Sequence, residues 1–272
     1  MEIILRKLYI LPNTACNLSC PHCEVYKNII PLNEDKFFSK LKEIKAEEYI
    51  LFGGEPLLDH RIFNKCIDTG IITSMTSNLL LLEEEDIPKI SNIDLTTSWN
   101  PHRFTQEQYD IWLSKLKMLE KYGLHINVMI TLTEDLLSMD KKKLFDMFSD
   151  WDKISIIDGI NFGQLMDWNT TQEFFDRVDD WLCDTHSKWN FRIQNLIDKT
   201  ALNWKINTCS NTASLYPDGT LKRRCPTSIG TFFPKECLTC EFASICQPCR
   251  SQQHCSFPKK LYKMIKNEYA GN

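Results

Sequence analysis

Thr14-Ala15-Cys16-Asn17-Leu18-Ser19-Cys20-Pro21-His22-Cys23 puts three thiols into eight consecutive positions, directly behind an apolar run. Three thiolates so spaced, with no fourth close by, can hold three irons of a four-iron cluster and leave one iron open to another ligand. Working back from this stretch, residues 3–11 are rich in β-formers and closed by Pro12, so they read as a first strand carrying the cysteine loop at its C-terminal end. Working forward, Asn33 is a good N-cap for a helix with Phe37, Leu41 and Ile44 at helical spacing. Residues 49–52 read as a second strand ending in Gly53-Gly54-Glu55-Pro56. Asp59 caps a helix running to about residue 69, which Gly70 stops.

The alternation continues. Residues 71–76 are strand-like and lead into Ser77-Asn78, a short helix covers 83–90, and 93–97 are strand-like before Ser98-Trp99-Asn100. Thr105 and Gln108 form a capping-box pattern for a helix that Gly123 ends. Residues 124–132 read as a fifth strand, 138–149 as a helix, 154–157 as a sixth strand before Asp158-Gly159, and 171–187 as a last helix. Strands alternating with helices imply an α/β fold of parallel units, here a partial (β/α)6 TIM-like barrel with polar residues gathered at one mouth.

The 272 residues are 43% hydrophobic, and 32 basic against 36 acidic residues give a net charge of -4. That balance argues against a generic nucleic-acid surface or an anionic-membrane patch. The longest apolar runs, such as 79–82, are too short to span a bilayer, and no signal-peptide pattern opens the chain, so a cytoplasmic protein is expected. Of twelve cysteines, three lie near residue 20 and seven between 209 and 255, while Cys66 and Cys183 stand alone as small buried hydrophobes. Close spacing without an export signal favours metal over disulfides.

After about residue 200 helical periodicity fades. A turn at Pro217-Asp218-Gly219 looks like the tip of a hairpin between 215–216 and 221–222. The expected division is a barrel over 1–195 and a small cysteine-rich domain over 196–272, folded largely by metal ligation. By spacing alone, Cys237-x2-Cys240 and Cys246-x2-Cys249 also suit a zinc knuckle.

The C-x3-C-x2-C spacing of Cys16, Cys20 and Cys23, with Gly53-Gly54-Glu55-Pro56 after the second strand, resembles the radical S-adenosylmethionine (SAM) superfamily. The later pattern, Cys209-x9-Gly219-x5-Cys225 and then Cys237-x2-Cys240-x5-Cys246-x2-Cys249-x5-Cys255, resembles the SPASM domain that follows many such barrels, with two gaps off by one residue. The resemblance implies a [4Fe-4S] cluster on Cys16, Cys20 and Cys23 whose open iron takes the amino and carboxylate groups of SAM. Gly53, Gly54, Glu55 and Pro56 would approach the methionine ammonium, with Glu55 adding a negative charge. Ser77, Asn78 and Ser98 would contact the ribose or carboxylate, and His22 the adenine.

Two auxiliary clusters are implied as well. Cys237, Cys240, Cys246 and Cys255 would hold the distal one, and Cys209, Cys225 and Cys249 the proximal one, whose fourth site is open or non-cysteine, with Cys183 as the alternative donor. The implied activity is reductive cleavage of SAM to a 5'-deoxyadenosyl radical, fed by an external donor such as flavodoxin or ferredoxin, that takes hydrogen from a peptide or protein side chain. Only 15 residues precede Cys16, too few for an N-terminal peptide-recognition domain, which keeps a small metabolite or nucleotide substrate as an alternative. An iron-sulfur electron-transfer or scaffold protein is another, opposed by the intact Gly53 to Pro56 motif. Asp158, Asp167 and Tyr216 are the acid/base candidates, and Trp99 and Trp168 line the mouth or pack in the core.

Overall fold

Strand and helix alternate through the computed structural model, which describes residues 4–23, 25, 28–164, 171–188, 212–222 and 259–270. Strand β1 (Leu5–Ile10) buries Leu5, Leu8 and Ile10 and runs straight into the cysteine loop. Helix α1 (Glu34–Glu43) starts at Asn33, whose side chain accepts the Lys36 N–H at 3.2 Å, and buries Phe37, Phe38 and Leu41. Next come β2 (Ala46–Leu51), α2 (His60–Ile67), β3 (Ser74–Ser77), α3 (Ile87–Ile90), β4 (Asp94–Trp99) and α4 (Gln106–Lys121). Asp59 caps α2, and Thr105 with Gln108 closes a capping box on α4. β5 (Ile126–Leu132), α5 (Glu134–Ser138), α6 (Lys141–Asp152), β6 (Ile157–Gln164), α7 (Gln172–Lys188), β7 (Thr212–Leu215), β8 (Leu221–Lys222) and α8 (Lys259–Ala270) complete the described elements.

The described residues form two compact units, one up to 127 with 212–222, the other 128–188 with 259–270. In the first, the strand order is β4-β3-β2-β1-β7-β8. Every pair is parallel except β7 with β8, so α1, α2 and α3 are crossover connections. In the second unit β6 lies beside β5. There Asp179 on α7 accepts the Lys260 N–H at 2.8 Å and the Leu261 N–H at 3.0 Å, so one helix's carboxylate caps the N-terminus of another. No described helix is long and apolar enough to cross a membrane.

Two local expectations change. Residues 154–157 are not the sixth strand. Ile154 and Ile157 close buried turns, with their N–H groups on the Trp151 and Ile154 carbonyls, and the strand begins where that run was expected to end. A short apolar run of this kind does not distinguish strand from buried turn. The helix expected over 138–149 is α6, which starts three residues later behind its cap Asp140, and a separate short helix, α5, capped by Thr133, precedes it. The hairpin around Gly219 is present as expected, and β7 also pairs in parallel with β1 (Leu8 opposite Ala213, Ile10 opposite Leu215), which adds it to the sheet of the first unit. At φ +83° Gly219 takes the left-handed turn position that favours glycine.

Cys66, fully buried on α2, behaves as expected, and burial pushes its thiol up to about 12 from 9.0. The folded pKa is the higher one, so this stabilising contribution is complete below about pH 9 and disappears as pH rises toward 12. Native protein is expected to leave Cys66 unalkylated by iodoacetamide at pH about 8, and urea to expose it, read by peptide mass spectrometry.

Candidate functional site

Thr14 closes the base of the cysteine loop. Fully buried, its hydroxyl donates to the Asn28 carbonyl at 3.0 Å and accepts the Ile30 N–H at 2.8 Å, tying the loop's two ends together. Cys20 is buried, while Cys16 and Cys23 are half-buried, and the Cys23 N–H turns back onto the Cys20 carbonyl at 3.0 Å. The Leu18 N–H donates to Cys16 Sγ at 3.4 Å. Burial raises the thiol pKa of Cys16 and of Cys20. The Leu18 N–H opposes the rise at Cys16, and the Arg103 charge opposes it at both.

Gly53-Gly54-Glu55-Pro56 docks on the chain entering this loop. The Gly54 N–H donates to the Asn13 carbonyl (3.2 Å), the Glu55 N–H to the Ala15 carbonyl (2.9 Å), and Asn13 Nδ2 returns a bond to the Glu55 carbonyl (2.9 Å). A Cβ on Gly54 would lie 1.8 Å from the Ala15 oxygen. One on Gly53, where φ is +145°, would lie 2.4 Å from the Asn13 oxygen. Both glycines are therefore required by contact within the chain itself, a reason the sequence reading, which gave them to a ligand, did not contain.

Glu55 also has a role that reading did not assign. It is 1% exposed, and its carboxylate accepts the Leu57 N–H (3.1 Å), the Ser77 hydroxyl (2.8 Å) and the Asn78 N–H (2.8 Å). A carboxylate offers about four acceptor positions, so its charge faces mainly the end of β3. Burial raises the Glu55 pKa, against the pull of the Asn78 and Leu57 N–H groups, the Ser77 hydroxyl and Arg103. A raised folded pKa means that stability grows as pH falls through that pKa and levels off below the ordinary 4.5. Glu55→Gln is expected to cost about 1–3 kcal/mol at pH 7. The wild-type advantage should widen toward acid, measured by denaturant titration across pH.

The other sequence-predicted positions separate by place. Ser77 is buried, donating to Glu55 and accepting the Leu79 N–H, so its hydroxyl is held inside the protein. Asn78 is buried and faces the cysteine loop: Nδ2 donates to Asn17 Oδ1 at 2.7 Å and reaches Cys16 Sγ at 3.8 Å. Ser98 is half-buried near the C-terminal end of β4, beside the buried Trp99, and His22 is half-buried in the turn before Cys23. Tyr216 is buried with Leu11 and Val25, and Cys23 and Phe52 pack against that cluster. Asp158 is exposed and is the second residue of β6, at the strand's N-terminal end, because the strand starts later than expected. Cys183 is half-buried on α7 with Sγ 3.9 Å from Asp179 Oδ1, and burial followed by Asp179 and Asp180 pushes its thiol up to about 11. Asp167, Trp168, Cys209, Cys225, Cys237, Cys240, Cys246, Cys249 and Cys255 lie outside the described residues.

Sequence reasoning missed Arg103, in the loop between β4 and α4. Its buried Nε finds no acceptor among the described residues, and its charge acts on Cys16, Cys20 and Glu55. Its signal was a cation four residues past the end of a strand whose neighbours end in polar residues.

Among the described residues no three His, Cys, Asp or Glu side chains converge at the spacing of one metal ion. A four-iron cluster asks something different, since each thiolate binds its own iron and the sulfurs stand apart across the cluster. Three thiols on one anchored loop, an N–H aimed at one sulfur and a nearby cation fit that demand.

No family model matches the sequence. An uncharacterized protein of Archaeoglobus fulgidus is 26% identical over 151 residues, a match covering 49% of this chain and 36% of that relative. Among solved structures, anSMEcpe with bound AdoMet superposes with a TM-score of 0.66 at 15% identity, covering 98% of this chain and 96% of that one. Native anSMEcpe with AdoMet and the Cp18Cys peptide gives 0.64 at 15% identity, over 97% and 95%. SuiB of Streptococcus suis bound to S-adenosylmethionine gives 0.60 at 12% identity, over 93% and 77%. At these identities the likeness is one of fold, and it extends over nearly the whole chain.

Proposed function

We propose that this chain is a radical SAM enzyme that modifies a peptide or protein side chain. The observation that carries the reading is the docking of Gly53 to Glu55 onto the chain entering the Cys16, Cys20 and Cys23 loop, within a fold shared with structures holding AdoMet. Cys16, Cys20 and Cys23 would hold a four-iron cluster, which when bound would supply an electron and an open iron for SAM. The chain's own part is to hold that loop through Thr14, brace it with Gly54 and Glu55, and offset thiolate charge with Arg103. The peptide reading draws support from the Cp18Cys peptide held by anSMEcpe. Residues 1–195 are read as the SAM-binding part and 196–272 as a SPASM-type part, with Cys209, Cys225, Cys237, Cys240, Cys246, Cys249 and Cys255 carrying two auxiliary clusters.

The test is anaerobic reconstitution with iron and sulfide, followed by dithionite and SAM. Formation of 5'-deoxyadenosine is expected. Its absence from protein that has taken up iron would overturn the assignment.

A further inference from the structure

The amide of Asn78 is fixed in one orientation. Its Oδ1 accepts the Leu80 N–H at 3.0 Å, so the NH2 group is the end that faces the cysteine loop. One N–H of that group goes to Asn17 Oδ1 at 2.7 Å, and the nitrogen lies 3.8 Å from Cys16 Sγ. The backbone beneath it is fixed too, because the Asn78 N–H donates to Glu55 Oε2, and Glu55 is itself held by Ser77 and Leu57. Asn78 is 2% exposed, so these bonds are shielded from competing water. Asn17 acts in the opposite sense: its Oδ1 lies 3.7 Å from Cys16 Sγ and accepts one N–H of the Asn78 amide, whose nitrogen also reaches that sulfur.

We propose that Asn78 is a positioning residue for Cys16, donating its amide N–H to that ligand sulfur and, in competition with Asn17, setting the reduction potential of the loop's cluster. A hydrogen bond to a ligand sulfur stabilises the more negative, reduced cluster and so raises its potential, whereas an acceptor oxygen beside the sulfur lowers it. The inference rests on the radical SAM reading only in that the loop binds a cluster; it needs neither SAM nor a substrate.

The experiment is a potentiometric titration of the reconstituted full-length protein without SAM, followed by electron paramagnetic resonance. The loop's signal is identified as the one missing from the Cys16→Ala/Cys20→Ala/Cys23→Ala variant. Asn78→Asp keeps the Leu80 acceptor but turns an oxygen toward the sulfur. At the potential where wild type is half reduced, its ratio of reduced to oxidised cluster should fall about tenfold, a shift of about 59 mV to more negative potential for a one-electron couple. Asn17→Ala removes the acceptor oxygen beside the sulfur and releases the second Asn78 N–H, so it should move the midpoint the other way. Opposite signs at unchanged iron content are expected of tuning and not of a merely structural role.

If Asn78→Asp does not take up the cluster, Asn17→Ala decides alone. An unchanged or more negative midpoint there, or an unchanged midpoint in Asn78→Asp with full iron, overturns the proposal. Wild-type protein that forms 5'-deoxyadenosine while both midpoints stay fixed would sink this inference and leave the enzymatic reading standing. Shifted midpoints without 5'-deoxyadenosine would do the reverse.

Discussion

Gly54→Ala is expected to lose the loop's cluster and to lower the melting temperature by about 6–12 °C, for a cost of about 3 kcal/mol. The added methyl would sit 1.8 Å from the Ala15 oxygen and 2.3 Å from its carbon, both backbone atoms that cannot rotate away. Relief requires the chain entering the loop to move, which breaks the Glu55 N–H bond to Ala15 and shifts Cys16 one residue further on. Gly70→Ala is the control: φ there is +70°, but nothing lies within 4 Å of the new methyl. It should cost about 1–2 kcal/mol and leave iron uptake unchanged. Iron per chain after reconstitution, with a thermal melt of each variant, checks both. Full iron in Gly54→Ala would show that the loop does not depend on this contact.

Replacing Cys16, Cys20 and Cys23 together by alanine is expected to abolish 5'-deoxyadenosine formation and to remove about four of about twelve irons. The number that remains is as informative as the number lost. About eight irons would support two auxiliary clusters on the late cysteines, while zinc in their place would refute the SPASM reading and keep the first site. Since Cys16 and Cys23 are half-buried and only Cys20 is buried, the triple variant should fold, with a melt close to that of the metal-free wild type.

What could be read in the sequence was what neighbouring residues decide among themselves. Asn33, Asp59 and Thr105 cap their helices as expected because an N-cap bonds to a residue three positions on. The cysteine spacing and the glycine pair were visible as motifs. Their mutual contact was not, because Asn13 Nδ2 meets the Glu55 carbonyl across 42 positions of chain. Glu55 was read as facing a ligand because the resemblance places it beside the methionine ammonium. Nothing local announces that Ser77 and Asn78, more than twenty residues later, will satisfy it. Asp158 was misplaced for a smaller reason: two isoleucines in a buried turn look like strand, and the register of everything after them moved with that choice. Arg103 escaped because its one signal, a cation four residues past a strand end, forms no motif with other residues.

The parallel pairing of β7 with β1 bears on how this protein is made. Lys7 lies opposite Thr212, so the strand that carries the cysteine loop waits for a partner about two hundred residues further along the chain. Until the ribosome has produced that segment, one side of β1 presents unpaired N–H and C=O groups beside a row of buried-type side chains, Leu5, Leu8 and Ile10. The nascent chain therefore passes through a stage in which the edge nearest the cysteine loop invites pairing with other chains. Truncations ending before residue 212 should be recovered mainly as aggregates, whereas chains extended through the β7 and β8 hairpin should stay in solution.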